Sequence, residues 1–411
     1  MKDRFSPNQN RIWIGCFIGY TAAYVARLNL SAALGRLMAD LALTDAQGGM
    51  FQTLFAIVYA AGQLINGALV DRISPRRYIT AGLVLSGLCN LLFAVVGDYR
   101  LMLPLWALNG AAQSMLWTPI VRLIAVWFKG ERRTRVSFGM SMTLVLGNVA
   151  AWAISGLLAA QVGWKMSFVI PAALILSVGL LVYFLLRDDP APDEDLGDDH
   201  PQHRVMTEHR SLPLSEMLLQ TGLVMVLFCC VCNGFVRDGI ITWGPTIIAE
   251  LNGGQGLGST LSSLLIPLLN LIGVLFARRL YALFGGNARR CVGILMGVSG
   301  LLALTLHGAA LAMVSCSLVL GLCCSATYGV NPMLTQLIPM EYESAGRVGL
   351  VAGLCDCFIY LGSALAGVVT GAMSDAAGWP VVFTLWFCVA MASMAFAFLS
   401  IRGLSALRRE G

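Results

Sequence analysis

The chain carries a succession of apolar runs, each about 20 residues long, the length a helix needs to cross the hydrocarbon core of a bilayer. Twelve such runs can be traced, centred near Ala23, Ile57, Ser86, Gln113, Val149, Leu176, Cys232, Leu269, Gly297, Leu322, Leu361 and Val389. Inside a membrane every backbone N–H and C=O must find a partner within its own segment, so each run is expected to be a helix. The expected fold class is an all-α membrane protein with twelve transmembrane helices. Composition agrees, since only 12% of residues are charged and mean hydropathy is +0.76, against about a quarter charged in a soluble domain.

Charge inside the runs is the next constraint. Arg27 lies in Gly19-Tyr20-Thr21-Ala22-Ala23-Tyr24-Val25-Ala26-Arg27-Leu28-Asn29, and Arg237 in Asn233-Gly234-Phe235-Val236-Arg237-Asp238-Gly239. A charge at mid-membrane costs at least about 2.5–3.5 kcal/mol on insertion scales, so each arginine marks a functional hypothesis. A net charge of +5 raises the question of nucleic acid. The basic residues are scattered through short loops with no basic and aromatic groove, so no nucleic-acid partner is expected. The twelve cysteines fall inside apolar runs without histidine partners and are expected to be small buried hydrophobes, with no metal site and no disulfide framework. Nor is there a P-loop or a nucleophile paired with a base, so the chain is expected to be neither an ATP-driven pump nor an enzyme, and to need no cofactor.

Lys2, Arg4 and Arg11 ahead of the first run mimic a signal peptide, but the apolar stretch continues to about Leu37 and reads as a membrane span. Assigning loops alternately to two sides puts only Arg36, Arg100 and Lys165 on one of them, which makes both termini and the central polar segment cytoplasmic by the positive-inside rule. That segment, rich in Asp, Pro and His, divides the chain into a six-helix bundle at 1–187, a linker at 188–213 and a second six-helix bundle at 214–411. The histidines and aspartates of the linker read as solvated chain.

The two bundles repeat. Glu131-Arg132-Arg133-Thr134-Arg135-Val136 is echoed by Glu343-Ser344-Ala345-Gly346-Arg347-Val348, and Arg27 by Arg237, each about 210 positions on. Parallel repeats imply halves related by an axis along the membrane normal, each giving one guanidinium to a shared central site. Helical stripes give further lining candidates. Tyr20, Tyr24 and Arg27 share a face of the first span and Gln63 lies on a polar face of the second. Tyr328 and Asn331 lie on the tenth, and Asp356 and Tyr360 on the eleventh. Polar faces are confined to eight of the twelve spans, as a water-filled path would require. Arg122, about six residues from the end of the fourth span, is expected to be structural.

Gly67-Ala68-Leu69-Val70-Asp71-Arg72-Ile73-Ser74-Pro75-Arg76-Arg77 matches the G-x-L-x-D-R-x-x-x-R-R loop signature of the major facilitator superfamily. The resemblance implies a major facilitator fold and a cytoplasmic latch made by Asp71, Arg72 and Arg76. Three further stretches resemble the organophosphate:phosphate antiporter family: Tyr20-x-x-x-Tyr24-x-x-Arg27-x-Asn29, Gln113-x-x-x-Trp117-x-Pro119-x-x-Arg122 through Trp127-x-x-x-Glu131-Arg132, and Arg237-x-Gly239-Ile240-x-x-Trp243-x-Pro245-Thr246. That family implies a monomer in a bacterial inner membrane, surrounded by lipid, which exchanges a small phosphorylated substrate for inorganic phosphate by alternating access. Arg27 and Arg237 would hold the phosphoryl group. The chemistry suits them, because guanidinium is planar, permanently charged and able to grip phosphate bidentately.

The chain departs from the glycerol-3-phosphate transporters by placing Gln63 and Gly147 where they carry a lysine and a histidine. It also adds two carboxylates, Asp238 and Asp356, as coupling candidates. Neighbours on a helix do not face the same way, so Asp238 need not neutralise Arg237 directly, but the formal charges of Arg27, Arg237, Asp238 and Asp356 sum to zero. The added carboxylates leave open a zwitterionic phosphate compound or a proton-coupled symporter of an organic anion, and a transporter-like sensor is a third alternative.

Overall fold

A computed structural model describes residues 5–69, 73–191, 221–251, 254, 256–306, 313–342 and 348–407. Its helices are α1 (Pro7–Leu41), α2 (Asp45–Leu69), α3 (Pro75–Val95), α4 (Tyr99–Trp127), α5 (Gly130–Gln161) and α6 (Met166–Leu185) in the first part of the chain. There follow α7 (Leu223–Leu251), α8 (Leu257–Ser263), α9 (Leu265–Leu283), α10 (Ala288–Thr305), α11 (Met313–Pro332), α12 (Val348–Ala377) and α13 (Trp379–Leu407). Because α8 and α9 run together as one rod, these make the twelve spans that the apolar runs predict. Among the described residues nine helical segments are both long and apolar enough to cross a membrane. The other three are α1, α2 and α4.

The chain forms two compact units, one of residues 1–41 with 54–205 and one of 42–53 with 206–411. The division differs from a cut at a central linker in one respect: the first turns of α2 belong with the second unit. Asp375 near the end of α12 accepts hydrogen bonds from the backbone N–H groups of Asp45 (2.8 Å) and Ala46 (2.7 Å), capping the start of α2. Thr53 donates to the carbonyl of Ala364, and Gln52 to Ser363. Most of the expected linker, from residue 192 on, lies outside the described residues, as does the Glu343–Arg347 echo.

Each unit repeats the same helix pairings. In the first, α1 packs on α5 and α6, and α3 on α4 and α6; in the second, α7 packs on α12 and α13, and α10 on α11 and α13. Local sequence sets the turns between them. Ser74 caps α3 with Pro75 following, Asp98 caps α4, and Asn287 caps α10. The first unit's core is apolar and aromatic, with Leu83, Leu123, Phe128 and Val182 fully buried.

Small residues set the closest approaches, as membrane helix packing requires. A methyl group at Gly234 on α7 would fall 2.0 Å from the carbonyl oxygen of Ile359 on α12, and one at Gly362 would fall 2.0 Å from that of Val231. Only glycine lets these backbones touch, and the crossing lies one turn from Arg237. The last turns of α11 widen into a π-helical segment, Met333–Leu337, before a final turn at Ile338–Met340. Pro339 explains the widening, because it has no N–H and its ring would clash with the carbonyl four residues back.

Candidate functional site

In the first unit Arg27 is held against aromatic faces. Its Cζ lies 4.9 Å from the ring centroid of Phe55, 4.8 Å from that of Tyr59 and 6.0 Å from that of Tyr24. Phe55 and Tyr59 are four residues apart on α2, so both rings lie on one helix face, stacked 5.9 Å apart. Gln63, one turn further on, donates to the Tyr59 hydroxyl (2.8 Å) and accepts from Thr118 (3.0 Å), which fixes the amide. A recess lined by Tyr20, Ala23, Tyr24, Arg27, Tyr59 and Gln113 opens beside the guanidinium. Tyr20 packs edge-on against Tyr24, at 5.2 Å, and against Trp117. The structure thus brings Tyr20 and Tyr24 to Arg27, together with Phe55 and Tyr59, which are not among the expected site residues; Gln63 reaches this group through the Tyr59 hydroxyl, and Thr118 through Gln63.

Gly147 backs this arrangement from α5. A Cβ there would fall 2.4 Å from the Cβ of Tyr24. A histidine at that place would need Tyr24 to move, so the missing histidine is a matter of helix packing as well as of charge.

Part of the polar stripe expected to line a path is instead consumed inside the unit. Asn29 donates to Asn90 (2.7 Å) and to the Ser167 carbonyl, Asn109 donates to the Ala26 carbonyl, and Gln113 donates to the Ala23 carbonyl and to Ser86. All of these side chains are at least 97% buried. They satisfy one another across α1, α3, α4 and α6, as buried amides must.

In the second unit Arg237 is set differently. Asp238 grips it bidentately, Oδ1 accepting from Nε at 2.8 Å and Oδ2 from Nη2 at 3.0 Å. Its third partner is Asn331, whose Oδ1 accepts from Nη1 at 2.6 Å. Tyr328 presents its ring 6.0 Å from the guanidinium, and Tyr360 and Asp356 on α12 interact electrostatically with it. The expected residues Tyr328, Asn331, Asp356 and Tyr360 therefore gather at Arg237. Asp238, left open by the sequence, pairs directly with its neighbour. The side chain of arginine is long enough to curl along the helix and offer its Nε and Nη2 edge to the adjacent carboxylate.

The remaining charges are at the ends of the helices. Arg122 donates to the carbonyl of Ile73 (3.1 Å), tying α4 to the turn ahead of α3. Asp71 and Arg72 lie outside the described residues. Arg76 stacks 4.0 Å over Tyr183, and Asp188 accepts from its backbone N–H and from the Ser74 hydroxyl. Arg289, counted in the sequence with the loop cations, is fully buried. It donates to the carbonyls of Thr221 and Ser400 and to Glu341. Tyr342 touches it as well, and burial raises the pKa of that phenol despite the neighbouring guanidinium. Of the cysteines, Cys357 and Cys388 are exposed on the helix surface.

The profile described as Major Facilitator Superfamily matches residues 16–355. The chain belongs to that superfamily and is a membrane transporter by fold. Within it, the resemblance to organophosphate:phosphate antiporters extends along the whole sequence. The "Glycerol-3-phosphate transporter" of Bacillus subtilis is 27% identical over 97% of this chain and 93% of its own length. The "Membrane sensor protein UhpC" of Salmonella typhimurium is 26% identical over 98% of this chain and 91% of its own. A bacterial homologue of the lysosomal transporter Spinster, solved inward-facing and occupied, superposes with a TM-score of 0.74 at 14% identity, covering 99% of this chain and 98% of that one.

Proposed function

We propose that the protein exchanges a small organophosphate for inorganic phosphate across a bacterial inner membrane by alternating access. The observation that carries this reading is the pair of repeat-related arginines, each deep in an apolar helix and each bordered by tyrosines and an amide. Guanidinium is the side chain best matched to a phosphoryl group, and its retention in hydrocarbon against a cost of a few kcal/mol points to a ligand rather than to packing. The similarity to a glycerol-3-phosphate transporter supports the phosphorylated substrate.

The test is phosphate self-exchange. Purified protein in liposomes loaded with inorganic phosphate should take up labelled phosphate from outside with no proton gradient imposed. Uptake that needs an imposed gradient would replace antiport by proton symport, with Asp356 and Asp238 as the coupling candidates. The similarity to a membrane sensor favours one further reading, in which the protein binds a phosphorylated ligand and moves none. Binding without flux in either assay would establish it.

A further inference from the structure

Of the charges gathered around the arginine of the second unit, the one left open to a ligand is negative. Arg237 and Asp238 close on each other, and their side chains are only 15% and 13% exposed. A guanidinium has five N–H donors, and three of the five are engaged by Asp238 and Asn331. Asp356 is different: it is exposed on α12 and lies close enough to act electrostatically on Arg237. The charges facing this place are thus one guanidinium and two carboxylates, with Tyr328, Tyr360 and the thiols of Cys324 and Cys230 as the other titratable groups. Among the described residues of this unit, their formal charges sum to minus one when all three are ionised.

A second observation bears on the same face. Asn233 stands one helical turn before Arg237 on α7 and is fully buried. Neither its amide oxygen nor its amide nitrogen has a hydrogen-bond partner among the described residues. Buried amides are nearly always satisfied, and this one stands one turn from the charged constellation.

A bare phosphate dianion meets no net positive charge here, whereas an ammonium group meets an exposed carboxylate, with the rings of Tyr328 and Tyr360 at the neighbouring guanidinium able to attract cations. We propose that the organic phosphate carried by this protein is a phosphorylated primary amine, whose ammonium group is taken by Asp356. This rests on the phosphate exchange proposed above and narrows its substrate class.

The test uses competition against labelled phosphate in the self-exchange assay, with pairs of compounds of similar size: phosphoethanolamine against glycerol 3-phosphate, and glucosamine 6-phosphate against glucose 6-phosphate. In at least one pair the aminated member should inhibit at a concentration about tenfold lower or less. In that pair Asp356→Asn should bring the ratio close to one, and Asp356→Glu, which keeps the charge, should preserve the preference. Parity in both pairs, preference for the neutral members, or an unchanged ratio in Asp356→Asn would overturn the proposal. Thermal stabilisation of the unaltered protein by the same pairs reads the preference without flux or variants. Equal stabilisation within both pairs would also overturn it. Failure of self-exchange together with selective stabilisation by the amines would instead remove the exchange reading and leave the amine site standing.

Discussion

Arg27 and Arg237 occupy equivalent places in two repeats and are held in opposite ways. Arg27 lies over the rings of Phe55 and Tyr59, faces that attract its charge. Arg237 is locked to Asp238 by two charge-assisted bonds and to Asn331 by a third. A duplicated sequence has kept the cation in both halves and changed what faces it. One half sets its cation against aromatic faces and the other sets it in a cluster with two carboxylates.

The sharpest way to break that comparison is to replace each arginine by lysine. In Arg27→Lys both the planar stack and the forked donors go, and phosphate self-exchange should fall by about a hundredfold, as expected for a charge-assisted pair plus a ring contact. Arg237→Lys keeps an ion pair with Asp238 but cannot also reach Asn331, so the loss should be nearer tenfold. Initial exchange rates at matched protein density decide it. Equal losses would mean that the two settings serve the substrate alike.

The setting of Arg27 also depends on how closely α5 approaches α1. Gly147→Ala puts a methyl group 2.4 Å from the Tyr24 Cβ, an overlap that backbone or ring must relieve. Overpacking of this kind costs about 1–3 kcal/mol, and the thermal midpoint in detergent should drop accordingly. An unchanged midpoint would show that Tyr24 yields freely and that room exists there for a larger side chain.

The twelve spans and both arginines are legible in the sequence for one physical reason: an apolar run of bilayer length has few alternative folds, and a charge within it stands out. The aromatic platform is not legible in that way. Phe55 is one apolar residue in an apolar helix, and only the observation that Arg27 lies over it gives it a role. The buried Asn29, Asn90 and Asn109 network is not legible either, since a polar stripe on a helix reads equally as a wet face or as the inner surface of a bundle. Adjacent positions such as 237 and 238 are expected to diverge on a helix, and the reach of the arginine side chain defeats that rule.

On the side of the second unit, Asp238→Asn keeps the shape of the side chain and removes its charge. If the carboxylate holds the donors that phosphate needs, the half-saturating phosphate concentration in self-exchange should fall by about threefold to tenfold, the range expected when one hydrogen-bonded charge competitor is weakened. A rise would show that Asp238 positions Arg237 for the substrate and does not compete with it.

The smallest effect should come from Phe55→Leu, which leaves a side chain of comparable apolar character but no ring face under Arg27. Exposed cation–π contacts are worth about 0.5–1 kcal/mol, so phosphate should bind roughly twofold to fivefold more weakly. The thermal midpoint should change little, because the leucine stays buried. Tyr59→Phe is the matched control, since it keeps a ring at the same place and removes only the hydroxyl that Gln63 bonds. If Phe55→Leu weakens binding and Tyr59→Phe does not, the ring faces hold the guanidinium. If the reverse holds, Arg27 is oriented by the Gln63 and Tyr59 hydrogen bond, and its environment is closer to that of Arg237 than the ring contacts imply.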